Sequence, residues 1–408
     1  MSNVEPRGGA ARLRHLDNLR TLLVAWVIAC HALLGYSAVG GWPYDEINEV
    51  TFARPTELVL VVILGPSGLV IIGLFFFIAG LLTEKSINRH GWRRYSSGRL
   101  RRLGLPWLVS ALALWPVSVW VAYRGAGRHV SVWWVFRHRN PFLDSGALWF
   151  ALVLLIFSVA YAACLALVRR LLGRRPADRV VGRQRQQGPG RPAAVIVTAT
   201  AAIAATSFFV RIRFPVHSGQ IADLHLWWWP QCLGMFLLGI WAGRRDWNEQ
   251  LPSRIRRGSG VALVATLVVS AALAPATGLR DATHGIGPYL GGWHWQSLLM
   301  GIVEASVLVS ASFWLVGTAE HRLAGAGKHT EGWIRAAFGA FVIQGPVLMI
   351  LSTAARLVDA PAEVKAPLVA AAAIVLSFWL GALLASWLRS RAGVGHGGDS
   401  RPAPALGS

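Results

Sequence analysis

Arg20 and His31 sit on the first strongly apolar stretch of the chain, ten residues apart in a segment that otherwise reads Thr-Leu-Leu-Val-Ala-Trp-Val-Ile-Ala-Cys. Eleven steps of an α-helix make about three turns, so the two side chains share a face roughly 16 Å apart along the axis. An ionisable residue inside a membrane helix is costly and marks a functional site by default. A fixed cation at one end of a stripe with an imidazole further in suits proton exchange with a bound group. The alternative is that Arg20 snorkels to the headgroups while His31 hydrogen-bonds a neighbouring helix. Glu304 is the only acidic residue inside any long apolar run, at a depth comparable to that of His31. A carboxylate holding one imidazole nitrogen would fix the tautomer and raise the basicity of the other. A structural hydrogen bond from Glu304 to another helix is the competing role.

A second constellation is Gly91-Trp92-Arg93-Arg94-Tyr95-Ser96-Ser97-Gly98-Arg99-Leu100-Arg101-Arg102. Arg99 and Arg102 are three apart, which places them on one helical face, and their guanidinium forks suit phosphate oxygens. A phosphorylated donor would dock here, although such a cluster also serves simply to set topology. Cys30 adjoins His31, but adjacent helical residues point about 100° apart, so they form no nucleophile and base pair within one helix. Cys30, Cys164 and Cys232 all fall within apolar runs and read as small packing residues, with no disulfide framework.

The elements that must position these residues are membrane helices. With 54% hydrophobic and 14% charged residues among 408, the composition excludes an ordinary soluble domain. An all-α, polytopic integral membrane protein is expected, with about ten transmembrane helices near 18–38, 58–82, 105–123, 147–168, 193–210, 226–243, 259–276, 293–317, 336–356 and 366–388. The net charge of +21 does not point to nucleic acid. With residue 1 in the cytoplasm, 30 of the 40 Lys and Arg residues fall on the cytoplasmic side, as the positive-inside rule requires. Both termini are therefore expected in the cytoplasm, in a multi-pass protein of the cell membrane. Membrane lipids are expected partners, and the basic clusters also suit anionic headgroups or a polyanionic cytosolic ligand. The Arg-rich residues 7–20 before the first run do not read as a cleaved signal peptide, because Asp17 and Arg20 interrupt the run and no small-residue cleavage site follows Ser37.

The expected organisation is a cytoplasmic segment over 1–17, one membrane domain over 18–388 and a disordered cytoplasmic tail over 389–408. Residues 173–192, rich in Arg, Gln, Gly and Pro, also read as disordered. The outer loops near 39–57 and 124–146 carry Trp42, Tyr44, Asp45, Glu46, Trp133, Trp134 and His138, a mixture suited to an extracytoplasmic substrate. Twenty Trp residues lie largely at span ends, where interfacial anchoring accounts for most of them. Flat aromatic surfaces also stack on sugar rings, which makes Trp149 and the Trp227–Trp229 and Trp293–Trp295 clusters, Trp228 and Trp293 among them, candidate acceptor sites.

Several motifs in a fixed order resemble the membrane-bound acyltransferase-3 family. They are Leu16-Asp17-Asn18-Leu19-Arg20 with His31 ten residues on, Leu74-Phe75-Phe76-Phe77-Ile78-Ala79-Gly80-Leu81, Arg99-Leu100-Arg101-Arg102 before Leu105-Pro106-Trp107, Gly146-Ala147-Leu148-Trp149-Phe150, and Phe338-Gly339-Ala340-Phe341-Val342-Ile343-Gln344-Gly345-Pro346. The resemblance implies transfer of an acyl group, usually acetyl, from cytosolic acyl-CoA to a hydroxyl of an extracytoplasmic carbohydrate or glycosylated small molecule, with no metal. Carried over by position, His31 is the essential histidine, Arg20 the arginine ten residues before it, and Arg99 with Arg102 the arginines linked to donor binding. In the implied reaction His31 takes the acceptor's proton, optionally steadied by Glu304, ahead of a variant that passes through an acyl-histidine. Many relatives carry His where Gln344 stands and Ser-Gly-Phe where this chain has Ala79-Gly80-Leu81. Gln cannot act as a base, so Gln344 is expected to make a hydrogen bond at the substrate site. The chain also shows no fused hydrolase-like domain of the kind some relatives carry. The rival expectation is a proton-coupled transporter or lipid-handling protein with Arg20, His31 and Glu304 as a relay; the lack of a detectable internal repeat speaks against it.

Overall fold

The computed structural model describes residues 13–38, 44, 49–172, 192–218, 224–277, 286–325 and 330–394. They form twelve helices: α1 (Arg14–Leu34), α2 (Arg54–His90), α3 (Trp92–Gly125), α4 (Val132–His138), α5 (Trp149–Leu171), α6 (Pro192–Arg213), α7 (Trp229–Gly243), α8 (Ser253–Leu273), α9 (Gly287–Leu290), α10 (Trp295–Arg322), α11 (Thr330–Ala355) and α12 (Ala362–Val394). Among the described residues there is no strand, and nine helices are long and apolar enough to cross a membrane. The run expected at 226–243 folds as a turn of 3₁₀-helix followed by the 15-residue α7. The last helix continues to Val394, beyond the expected span end at 388. Residues 1–12, 173–191 and 395–408, along with Trp42, Asp45 and Glu46, lie outside the described residues.

The central post is α2. Its three consecutive phenylalanines point about 100° apart, so each meets different neighbours. Phe75 packs on Phe150 of α5 and Phe341 of α11, Phe76 on Phe157 of α5, and Phe77 edge-on to Phe313 of α10. Glycines let backbones close where side chains would hold them apart. A methyl group on Gly80 would strike the Phe236 carbonyl, and one on Gly239 or Gly243 would strike the carbonyls of Phe77 or Leu81. This seam explains why the short α7 lies flush against α2, and Gly339 with Gly381 makes the same close approach between α11 and α12. By contrast, α8 buries none of its side chains.

Two π-helical turns interrupt α3, at Leu100–Gly104 and Ser110–Leu114. Each ends two residues before a proline, Pro106 and Pro116, whose ring lacks a donor and crowds the preceding turn, so the wider turn accommodates it. The second π-turn receives the chain returning from α4: Ser110 Oγ donates to the Ser145 carbonyl at 3.0 Å, and Arg139 Nη1 donates to the Ala111 carbonyl. Consequently α5 starts beside the middle of α3 rather than at its end. The two faces of the bundle are thus a basic face, carrying Arg14, Arg99 and Arg244, and an opposite face, into which this segment dips.

Candidate active site

Near the basic face, α1 presents Arg20 half-buried, its Nη1 3.2 Å from Asp17 Oδ1. The charge of Arg99, brought in by α3, reaches it. Arg99 is held rather than loose. Its Nε donates to Tyr95 Oη at 3.2 Å, its guanidinium lies 5.2 Å from the centre of the same ring, and Tyr95 Oη meets Thr83 Oγ1 of α2 at 3.0 Å. Like charges near one another at a helix-bundle surface attract anions in general, and here Arg20 is already paired with Asp17. Arg102 behaves differently from expectation: it lies within the π-turn over Leu100–Gly104, which breaks the three-residue register, and it is exposed while Arg99 is half-buried.

Further along the same face of α1, His31 is partly buried. Its Nδ1 lies 3.2 Å from Gln344 Oε1 of α11, a glutamine with no exposed surface. With Nδ1–H donating to the amide oxygen, Nε2 is the basic nitrogen of the neutral ring. The other end of that amide, Nε2 of Gln344, is buried and has no hydrogen-bond partner. Next to Gln344, Gly345 admits the Trp115 ring, which a methyl group there would approach to 3.0 Å, and Gly146 admits the same ring from the other side at 2.6 Å. Trp115 Nε1 is tied to Asp144 Oδ2 at 2.6 Å. One turn beyond Gly146 stands Trp149, whose ring lies 5.4 Å from Trp228 and 4.3 Å from His225. His225 adopts the left-handed backbone conformation (φ 47°) and stacks on Trp228. Contiguous packing therefore joins the imidazole to an aromatic cluster in the dip of the opposite face.

Not every expected residue joins this site. Trp293 is 74% exposed and packs on Phe208, away from Trp149 and Trp228. Glu304 does not hold His31, which corrects the expected dyad. Its Oε2 lies 2.7 Å from Nη1 of Arg211 and accepts a hydrogen bond from Gln231 Nε2 at 2.8 Å. The physical reason is charge. Arg211 is fully buried in α6, and a carboxylate in the bundle neutralises a guanidinium before it orients an uncharged ring. Sequence reasoning missed Arg211 because the fifth apolar run ends at 210, whereas α6 continues to Arg213. An intramembrane carboxylate calls for a cationic partner, and that rule was the available signal. Cys164 also departs from its expected packing role, being exposed.

Apolar grooves of about 560 Å³ between α6, α8 and α10, and about 650 Å³ between α5, α6 and α7, open on the outside of the bundle and contain none of these residues. Among the described residues, no group of three or more His, Cys, Asp or Glu side chains is arranged to hold a metal ion. A family model described as an acyltransferase domain matches residues 13–386.

The chain belongs to the acyltransferase-3 family. No curated protein and no solved structure matches it. It is a multi-pass membrane acyltransferase. Within this acyltransferase the family match takes in both ends of the α1 stripe, together with Tyr95, Arg99, Trp149, Trp228 and Gln344.

Proposed function

We propose that this acyltransferase moves an acyl group, acetyl in the first instance, from acyl-CoA held at the basic face to a hydroxyl of a carbohydrate or glycosylated small molecule entering from the opposite face. The observation that carries this reading is the α1 stripe: Arg20 beside Arg99 at one end, and His31 with its tautomer set by Gln344 about 16 Å further on. The basic face is then cytoplasmic and the membrane is the cell membrane, in keeping with the bias of Lys and Arg among the loops.

Arg20, Arg99 and Arg102 take the phosphates of the nucleotide, Arg99 pre-positioned by Tyr95 and Arg102 reaching from the exposed side. The pantetheine arm runs up the stripe and brings the thioester to His31. Trp228, half-buried and backed by the buried Trp149, offers a stacking face to a sugar ring above it. His31 Nε2 takes the proton of the acceptor hydroxyl as its oxygen attacks the thioester carbonyl, then returns the proton to the departing sulfur. Glu304 serves the scaffold through Arg211. Trp293, exposed at the surface against Phe208, fits interfacial anchoring better than acceptor binding.

The decisive assay gives purified protein acetyl-CoA and a panel of glycans and follows free thiol. Wild type releases thiol in the presence of an acceptor, and His31→Ala lowers the rate by about 100-fold or more. Equal release by both would remove His31 from the reaction, and no release by either would remove the donor assignment.

A further inference from the structure

Gln344 has two ends, and the orienting role above uses only one. Its Oε1 accepts from His31 Nδ1 at 3.2 Å, which fixes the amide plane. Its Nε2, on the same amide carbon, is buried and unpartnered, in a side chain with no exposed surface. A buried amide donor without an acceptor is costly, and the cost is relieved when an acceptor arrives. Around it α11 packs against α1 and α12, and a methyl group on its next residue, Gly345, would come within 3.0 Å of the Trp115 ring that Asp144 Oδ2 holds. The donor is therefore buried, unpaired and on the same amide that meets the imidazole, and a donor in place beforehand is what stabilising a developing negative charge demands.

We propose that Gln344 is a catalytic residue in its own right, whose Nε2–H donates to the oxygen of the thioester carbonyl as it becomes an oxyanion. This inference rests on the acyl-transfer reading above. The acceptor oxygen forms a bond to the carbonyl carbon, its proton passes to His31 Nε2, and the carbonyl π pair moves onto the oxygen held by Gln344. When the tetrahedral centre collapses, that pair re-forms the carbonyl, the carbon–sulfur bond breaks, and the thiolate takes the proton back from the imidazolium. One amide thus sets the tautomer of the base through its oxygen and holds the oxyanion through its nitrogen.

The test separates the two ends of the side chain in full-length protein, with thiol release from acetyl-CoA as the readout. Gln344→Glu keeps an oxygen for His31 Nδ1–H and removes the donor. It is expected to lower kcat about 100- to 1,000-fold with KM for acetyl-CoA within about twofold of wild type. Gln344→His restores a ring N–H and is expected to recover at least tenfold over Gln344→Met, a pair that carries the test where the Glu variant does not accumulate. Wild-type kcat in Gln344→Glu, or equal rates in the His and Met variants, would overturn the proposal and leave Gln344 as an orienting residue only. Failure of the underlying reading shows separately, as absence of thiol release by wild type.

Discussion

Two buried glutamines occupy contrasting sites. Gln344 meets an imidazole at the α1–α11 seam, on a partly buried histidine. Gln231 donates to Glu304, which neutralises Arg211 between α6, α7 and α10, and there the guanidinium has no exposed surface. The difference teaches which polar cluster can change its charge during a reaction. A neutral imidazole with an amide partner gains and loses a proton without stranding a counter-ion. A buried ion pair cannot, because removing either charge leaves the other uncompensated in a medium that solvates it poorly. On the proposed function the first cluster cycles a proton, while the second pairs α6 with α10.

The sharpest way to break this contrast is to neutralise one half of the ion pair. Glu304→Gln leaves Arg211 buried and unpaired, and is expected to cost about 3–5 kcal/mol of stability. Thermal unfolding of the purified protein reads the loss, while kcat per folded molecule changes little. The double variant Arg211→Met/Glu304→Met is expected to regain most of the melting temperature, since removing both charges removes the desolvation penalty. A catalytic Glu304 would instead show full stability rescue in the double variant without recovery of rate.

Charge removal on the other side should act on binding. Arg99→Ala is expected to raise KM for acetyl-CoA about tenfold through loss of a charge-assisted contact, with kcat and melting temperature nearly unchanged. Arg102→Ala, at an exposed position, should raise it several-fold less, and a reversed order would place the donor outside the Arg20–Arg99 pair. A modest effect is also expected of Tyr95→Phe, which removes only the hydroxyl between Arg99 and Thr83. Loss of one hydrogen bond of about 1 kcal/mol predicts a rise of roughly fivefold or less in the same KM. On the acceptor side, Trp228→Ala should weaken use of a glycan acceptor while Trp293→Ala leaves it unchanged, measured as acceptor KM.

Where the chain was legible, local rules sufficed. The apolar runs became helices at nearly their expected positions, since the length of an apolar run is set by the thickness it must cross. Arg20 and His31 share a stripe because helical periodicity depends on the backbone alone. Trp149 with Trp228 was nameable from composition at span ends, but its separation from Trp293 was not. Arg102 left the face of Arg99 because a proline four residues on is absorbed by a π-turn, a distortion that the three-residue spacing does not announce.

The sequence by itself determined a helical membrane protein, the basic bias of one face, and the α1 spacing of cation and imidazole, all consequences of burial and periodicity within single segments. Only the tertiary structure decided the partners: Gln344 for His31, Arg211 for Glu304, and Arg99 for the neighbourhood of Arg20. Pairing between helices depends on which helices pack together, as α11 does on α1 and α10 on α6. A buried charge then takes whichever countercharge packing brings within reach, at any distance along the chain.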